Sequence, residues 1–107
     1  MKLLTKKIEK IAQKQFKFGA DMDKQKVVGK LFDLCGGWSW YIMSQDPKDP
    51  DYLWGIVDGF EVEMGSFSLS ELEGVKSRFG LGIERDKWFK PRPAKEVWDL
   101  LLAGKHV

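Results

Sequence analysis

Residues 27–44 read VVGKLFDLCGGWSWYIMS, and the fold depends on this stretch. The segment from Val27 to Cys35 is rich in β-branched and apolar residues, which favour strands. Gly36 and Gly37 can adopt the positive φ angles that a tight reversal needs, and the segment from Trp38 to Ser44 is again strand-like. The stretch therefore predicts an antiparallel β-hairpin.

Two more strands are predicted after this hairpin. The segment 52–57 is apolar and aromatic, and the segment 61–67 alternates acidic and apolar side chains, as a strand with one wet face does. Between the hairpin and these strands, QDPKDPD at 45–51 contains two prolines, which predicts an irregular loop. Together these segments predict an antiparallel meander of about four strands.

Three helices are predicted around the meander. Apolar residues at helical spacing predict the first over 5–14, with Thr5 as its N-cap. Ser68 and Glu71 form a capping box for the second, which is predicted to reach about Arg78. The third follows KPRP at 90–93 and is predicted to stop at Gly104. We expect a single α+β domain over residues 1–107, with the helices packed mainly on one face of the sheet.

Strand alternation assigns the aromatic side chains to two faces of the sheet. Trp38 and Trp40 share the more apolar face, so we expect them in the core. The same alternation leaves Tyr41 and Trp54 open between core and surface. Cys35 lies at an apolar strand end without a histidine nearby, and we expect it to be a buried structural thiol.

Charge is zoned along the chain, although the net charge is only +2. Residues 1–35 hold nine lysines and four acids, residues 36–75 one lysine and eight acids, and residues 76–107 eight basic residues and four acids. The lone cysteine and the absence of a long apolar run predict a cytoplasmic protein that does not span a membrane.

Candidate catalytic groups are few. The sole histidine, His106, is next to last, which disfavours histidine-based catalysis, and one histidine with one cysteine cannot supply a structural zinc site. The acidic loop lacks the spacing of a calcium-binding loop, so a solvated turn is favoured over a cation site. An enzyme would need a pocket gathering Glu61, Glu63 or Glu84 and Asp86 with raised pKa values. We therefore expect a non-enzymatic protein without a metal or cofactor.

Several motifs in order resemble one family. They are W-x-W-Y at 38–41, DP-x-D-x-D-Y at 46–52, G-x-VDG at 55–59, E-x-G-x-FSLSEL at 63–72 and GLGIERD at 80–86. Over roughly residues 2–93 the chain resembles the bacterial domain of unknown function 2958 family. The resemblance implies a small bacterial protein carried by plasmids, phages or other mobile elements, and it implies no established activity or catalytic residue.

Two functions are expected from these observations. The first is a non-enzymatic accessory protein of a mobile element that binds a bacterial protein, and a host defence system is one candidate source of that partner. Its expected contact residues are Tyr41, Asp46, Asp49, Asp51, Tyr52 and Trp54. The alternative is a nucleic-acid binder that uses the basic N-terminal helix and the basic C-terminal third. Its expected contact residues are Lys6, Lys10, Lys14, Arg78, Arg85, Lys87 and Arg92. The oligomeric state is left open.

Overall fold

A computed structural model describes residues 2–75 and 82–107 of the chain. Within those residues it contains helices and antiparallel strands, which confirms the α+β class. In chain order the elements are α1 (Lys6–Gln15), β1 (Lys26–Val27), β2 (Gly29–Asp33), β3 (Ser39–Asp46), β4 (Asp49–Asp58), β5 (Val62–Ser68), α2 (Leu69–Gly74), β6 (Ile83–Arg85), β7 (Arg92–Pro93) and α3 (Ala94–Leu102), with short 3₁₀ helices at Phe16–Phe18 and Met22–Lys24.

The main sheet has five strands in the order β5-β4-β3-β2-β6. Strands β2 to β5 are the predicted meander, since each pairs antiparallel with the next along the chain. Strand β6 was not predicted as a partner, and it extends the sheet beyond β2. Strands β1 and β7 form a separate two-stranded sheet that ties the beginning of the meander to the start of α3.

The predicted hairpin is the β2–β3 pair. The amide of Asp33 donates to the carbonyl oxygen of Trp38 at 2.9 Å, and Gly37 has a φ of 76° in the reversal. The carboxylate of Asp33 accepts from the amide of Cys35 at 2.9 Å, so the chain has already left the strand at that point. Cys35 is therefore exposed in the turn, and the prediction of a buried thiol was wrong.

The predicted irregular loop at residues 45–51 is also wrong. Strands β3 and β4 continue until Asp46 pairs with Asp49 across a tight turn. Pro50 has no amide hydrogen, but its carbonyl oxygen accepts from the Gln45 side chain at 2.7 Å, and the register shifts between Gln45 and Asp46. Proline stands at an irregular position of the pairing, where a side chain and not the ladder satisfies its carbonyl oxygen.

Helices cover both faces of the sheet. Helices α1 and α2 lie on one face and α3 on the other, so helices pack against both faces of the central strands. On the first face, the buried cluster is Leu3, Leu4, Ala12, Val28, Leu31, Ile42, Leu53, Leu72 and Ile83. On the second face it is Val27, Tyr41, Met43, Ile56, Ala94, Val97 and Leu101.

The predicted helix ends are largely confirmed. The hydroxyl of Thr5 accepts from the amide of Ile8 at 3.1 Å, and that of Ser68 accepts from the amide of Glu71 at 3.3 Å. Gly104 has a φ of 75° just after α3. Helix α2 ends at Gly74, because the following residue is already extended. The remainder of the longer helix predicted here, including Arg78, lies outside the described residues.

Candidate protein-binding surface

Tyr41 lies in the core. It is 1% exposed, whereas Trp38 and Trp40, expected in the core, are only partly buried. Burial, with a smaller contribution from the charge of Asp58, raises the pKa of Tyr41 to about 12. The phenol therefore stays protonated and acts as a donor. Tyr41 is removed from the expected contact residues because α3 covers its face of the sheet.

The three acidic residues of the β3–β4 turn have different roles. The carboxylate of Asp46 accepts from the amide of Lys48 at 2.8 Å, which is local turn geometry. Asp51 reaches further, since its carboxylate accepts from the hydroxyl of Ser68 and from the amide of Ser70, both at 2.6 Å. These bonds hold the start of β4 against the N-terminus of α2. Asp49 is exposed, so Asp46 and Asp49 remain for contact with a partner, while Asp51 is occupied within the fold.

The bonds from the Ser68 hydroxyl and the Ser70 amide hold the pKa of Asp51 below its ordinary value. A carboxyl whose pKa is lowered on folding stabilises the fold above its unfolded pKa, about 3.9, and loses that contribution as the pH falls through the folded value. We expect Asp51→Asn to lower the free energy of unfolding at pH 7, and the difference from the parent to shrink below about pH 4. Urea unfolding over a pH series measures this.

The control for this prediction is the same substitution in a Ser68→Ala background. Because the hydroxyl partner is then gone, the pH-dependent part of the Asp51→Asn effect should become smaller. An effect of Asp51→Asn that is independent of pH in both backgrounds would contradict the assigned role of the carboxylate.

Tyr52 and Trp54 lie together on the same face of β4. Tyr52 is 38% exposed, and its ring meets that of Phe16 edge to face with the centroids 6.2 Å apart. Phe16, Tyr52 and Trp54 line an open pocket of about 250 Å³, completed by Gly19, Ala20 and Ser44. Phe16 was not a candidate from the sequence, because it belongs to the 3₁₀ helix after α1, more than 30 residues from Tyr52.

The indole N–H of Trp54 is buried and has no hydrogen-bond partner among the residues that the structure describes. Buried donors in folded proteins are nearly always paired, so this one is an unusual feature of the surroundings of Trp54. Tyr52 also borders a second depression, with Asp49 and Glu71 on its rim. We call Phe16, Tyr52, Trp54, Asp46 and Asp49 the aromatic–acidic surface.

The expected nucleic-acid contacts do not form one surface. Lys6, Lys10 and Lys14 line a shallow depression of α1 beside Pro47, at the acidic turn. The guanidinium of Arg85 donates to the carbonyl oxygen of Leu3 at 2.6 Å on the sheet face that α1 covers.

The remaining basic candidates are dispersed. Arg92 pairs with Glu96 at 2.5 Å, and Lys87 is exposed near Lys7, on another side of α1. Arg78 lies outside the described residues. Of the basic candidates that the structure describes, the three α1 lysines and Lys87 are the ones on open surface.

The fold and this surface define a small α+β domain with an antiparallel sheet covered on both faces and an open aromatic pocket beside an acidic turn. No group of three or more histidine, cysteine, aspartate or glutamate side chains in the described residues is arranged to hold a metal ion. The described helices are all too short or too polar to cross a membrane.

The chain belongs to the family described as "Protein of unknown function (DUF2958)", whose model matches residues 2–101. No curated protein and no solved structure matches the chain. The family assignment therefore supplies no activity, and function has to be argued from the surface.

Proposed function

We propose that this protein is a non-enzymatic interaction protein that binds a bacterial protein through the aromatic–acidic surface. The observation that carries the proposal is the open pocket that brings Phe16, Tyr52 and Trp54 together from distant parts of the chain. Aromatic side chains are typical anchors of protein interfaces.

Charge indicates the kind of partner. Asp46 and Asp49 lie at the end of β4 that carries Tyr52, and residues 36–75 hold eight acids against one lysine. Complementary charge favours a partner segment with an apolar side chain for the pocket and a basic side chain for the turn. An acidic surface also repels phosphates, which disfavours nucleic acid at this site.

The proposed setting is a mobile genetic element of a bacterium, and a host defence protein is one candidate partner. This part of the proposal rests on the family resemblance of the motifs at 38–59 and 63–72 and not on a contact. The nucleic-acid alternative retains one supporting observation, which is the exposed row of Lys6, Lys10 and Lys14 on α1.

The test compares three tagged proteins in bacterial lysate at mild salt, with and without nuclease treatment, and capture is read by quantitative mass spectrometry. They are the parent, Tyr52→Ala, and a control with Lys6, Lys10 and Lys14 all changed to glutamine. We expect the parent and the control to retain the same partner and Tyr52→Ala to lose it. With the purified partner, Tyr52→Ala should raise Kd at least about tenfold, the effect of removing an aromatic anchor, and the lysine control should change it little.

Two outcomes would count against the proposal. One is that the parent retains no protein. The other is that capture is insensitive to Tyr52→Ala but is lost on nuclease treatment and in the lysine control, which would favour the nucleic-acid alternative instead. Equal unfolding midpoints of the three proteins establish that any loss is local.

A further inference from the structure

A second and larger opening lies on the sheet face that α3 only partly covers, away from the aromatic–acidic surface. It is a groove of about 650 Å³ over strands β2, β3 and β6. Lys30, Ser39, Glu84 and Asp86 lie along its floor, and Trp88, which is 90% exposed, stands at its side. Of the carboxylates that an enzyme would need to gather, the groove brings together Glu84 and Asp86. Glu63 lies on β5, at the opposite edge of the sheet.

Lys30 is the unusual residue of this groove. It is only 6% exposed, and lysine is rarely buried to this degree unless its ammonium is paired. Its ammonium donates to the main-chain oxygen of Val107 at 2.6 Å, and the Tyr41 hydroxyl donates to the same oxygen at 3.2 Å. The ammonium also lies 5.5 Å from the centroid of the Tyr41 ring. Two buried donors therefore converge on one oxygen atom.

The segment that supplies this oxygen reaches the groove by a turn after α3. The amide of Gly104 donates to Leu101 at 3.0 Å and that of Lys105 donates to Leu100 at 2.9 Å, which reverses the chain. His106 then lines the groove, and Val107 packs against the cluster that contains Tyr41. We call residues 105–107 the tail.

We propose that the groove is a receptor for the carbonyl or carboxylate oxygen of an extended peptide, and that the tail occupies this receptor in cis. The groove is a different surface from the aromatic–acidic surface, and its role does not depend on the proposed function. The tail itself shows the ligand chemistry, because His106 lines the groove together with Glu84 and Asp86 and is followed by an apolar residue whose oxygen accepts from Lys30 and Tyr41.

Charge distinguishes this ligand from a free phosphate. Lys30 favours an anionic oxygen, but Glu84 and Asp86 on the same floor disfavour a multiply charged anion. A peptide end carries a single carboxylate and can place a basic side chain near the two acids. The geometry therefore fits a peptide of the form basic-apolar better than it fits an inorganic anion.

A tethered tail competes strongly with any ligand in solution. A short linker holds the tail near the groove at an effective concentration of the order of millimolar. A weakly binding peptide therefore does not displace the tail from the 107-residue chain. Removal of the tail should expose the two donors.

The experiment titrates the peptide acetyl-Gly-Lys-His-Val into the complete chain and into a variant that ends at Gly104, with NMR shifts of Lys30 and Tyr41 as the signal. We expect little binding to the complete chain at about 1 mM and at least about tenfold tighter binding to the shortened chain. Tyr41→Phe in the shortened chain should weaken binding about three- to tenfold, since it removes one donor and keeps the ring. Inorganic phosphate is the comparison ligand and should bind less well.

The proposal is overturned if the shortened chain is folded and the peptide moves neither Lys30 nor Tyr41, or if phosphate binds more tightly than the peptide. If the shortened chain is unfolded, the peptide in trans should restore folding, and a failure to restore it is equally decisive. In the complete chain, Lys30→Met should make the amides of His106 and Val107 mobile by ¹⁵N relaxation, and a tail that stays ordered in Lys30→Met would also overturn the proposal.

Discussion

Replacement of Gly55 by alanine is expected to lower the free energy of unfolding by about 3 kcal/mol or more. Gly55 lies in β4 opposite Ile42, next to the place where the β3–β4 register shifts. A Cβ atom here would overlap the main-chain oxygen of Tyr41 and come within 3.2 Å of the amide nitrogen of Met43. Main-chain atoms of a central strand cannot move aside without loss of strand pairing, so the substitution destabilises the whole sheet. Urea unfolding measures it.

Gly65→Ala is the matched control. Gly65 pairs directly with Gly55 on the neighbouring strand β5, but a Cβ atom at Gly65 meets nothing within 4 Å. Its substitution should change the free energy of unfolding by no more than about 1 kcal/mol. Alanine reduces the conformational freedom of the unfolded chain, and this effect stabilises the folded state. Equal losses of stability in the two variants would show that strand glycines in general, and not the close approach at Gly55, matter here.

The second large effect is expected at Gln45, which is fully buried at the turn-side end of β3. Its amide group donates to the carbonyl oxygen of Pro50 at 2.7 Å and to Glu9 at 3.1 Å, and its oxygen accepts from Gln13 at 2.9 Å. Gln45→Met keeps the volume but leaves the Pro50 carbonyl without this donor. We expect a loss of about 2–3 kcal/mol, the cost of leaving a buried polar group unpaired, measured by urea unfolding.

Gln13→Met provides the control for Gln45. Gln13→Met leaves the oxygen of the buried Gln45 without its donor, so this change alone should cost about 1–3 kcal/mol. In the Gln45→Met background the same change should cost almost nothing, because the bond it removes is already absent. Full additivity of the two substitutions would contradict a shared network.

Local features of the fold were predictable because both partners of each bond lie close together in the sequence. The caps at Thr5 and Ser68 involve residues three apart, and Gly37 and Gly104 occupy positive φ angles in turns. Strand alternation correctly placed Tyr52 and Trp54 on one face of β4. These signals require only the chain geometry of one element.

Long-range features were not predictable in this way. All four glutamines of the chain, Gln13, Gln15, Gln25 and Gln45, hold main-chain or side-chain groups of other segments, yet in the sequence they resemble ordinary polar residues. Asp51 likewise appeared to be a free acid, whereas its partners lie 17 and 19 residues further along the chain. A pattern with a period of two or of 3.6 carries no information about such partners.

The sequence by itself determined the α+β class, the meander, the helix caps and the family, because these follow from propensity, periodicity and motif order. Only the tertiary structure decided that α3 covers the second face, which buries Tyr41. Trp38 and Trp40 remain partly exposed, and Trp40 packs against the cluster of the first face. The tertiary structure also decided that Phe16 joins Tyr52 and Trp54, and that the tail reaches Lys30. Alternation states which side chains share a face, but the burial of that face depends on helices that pack from distant parts of the chain.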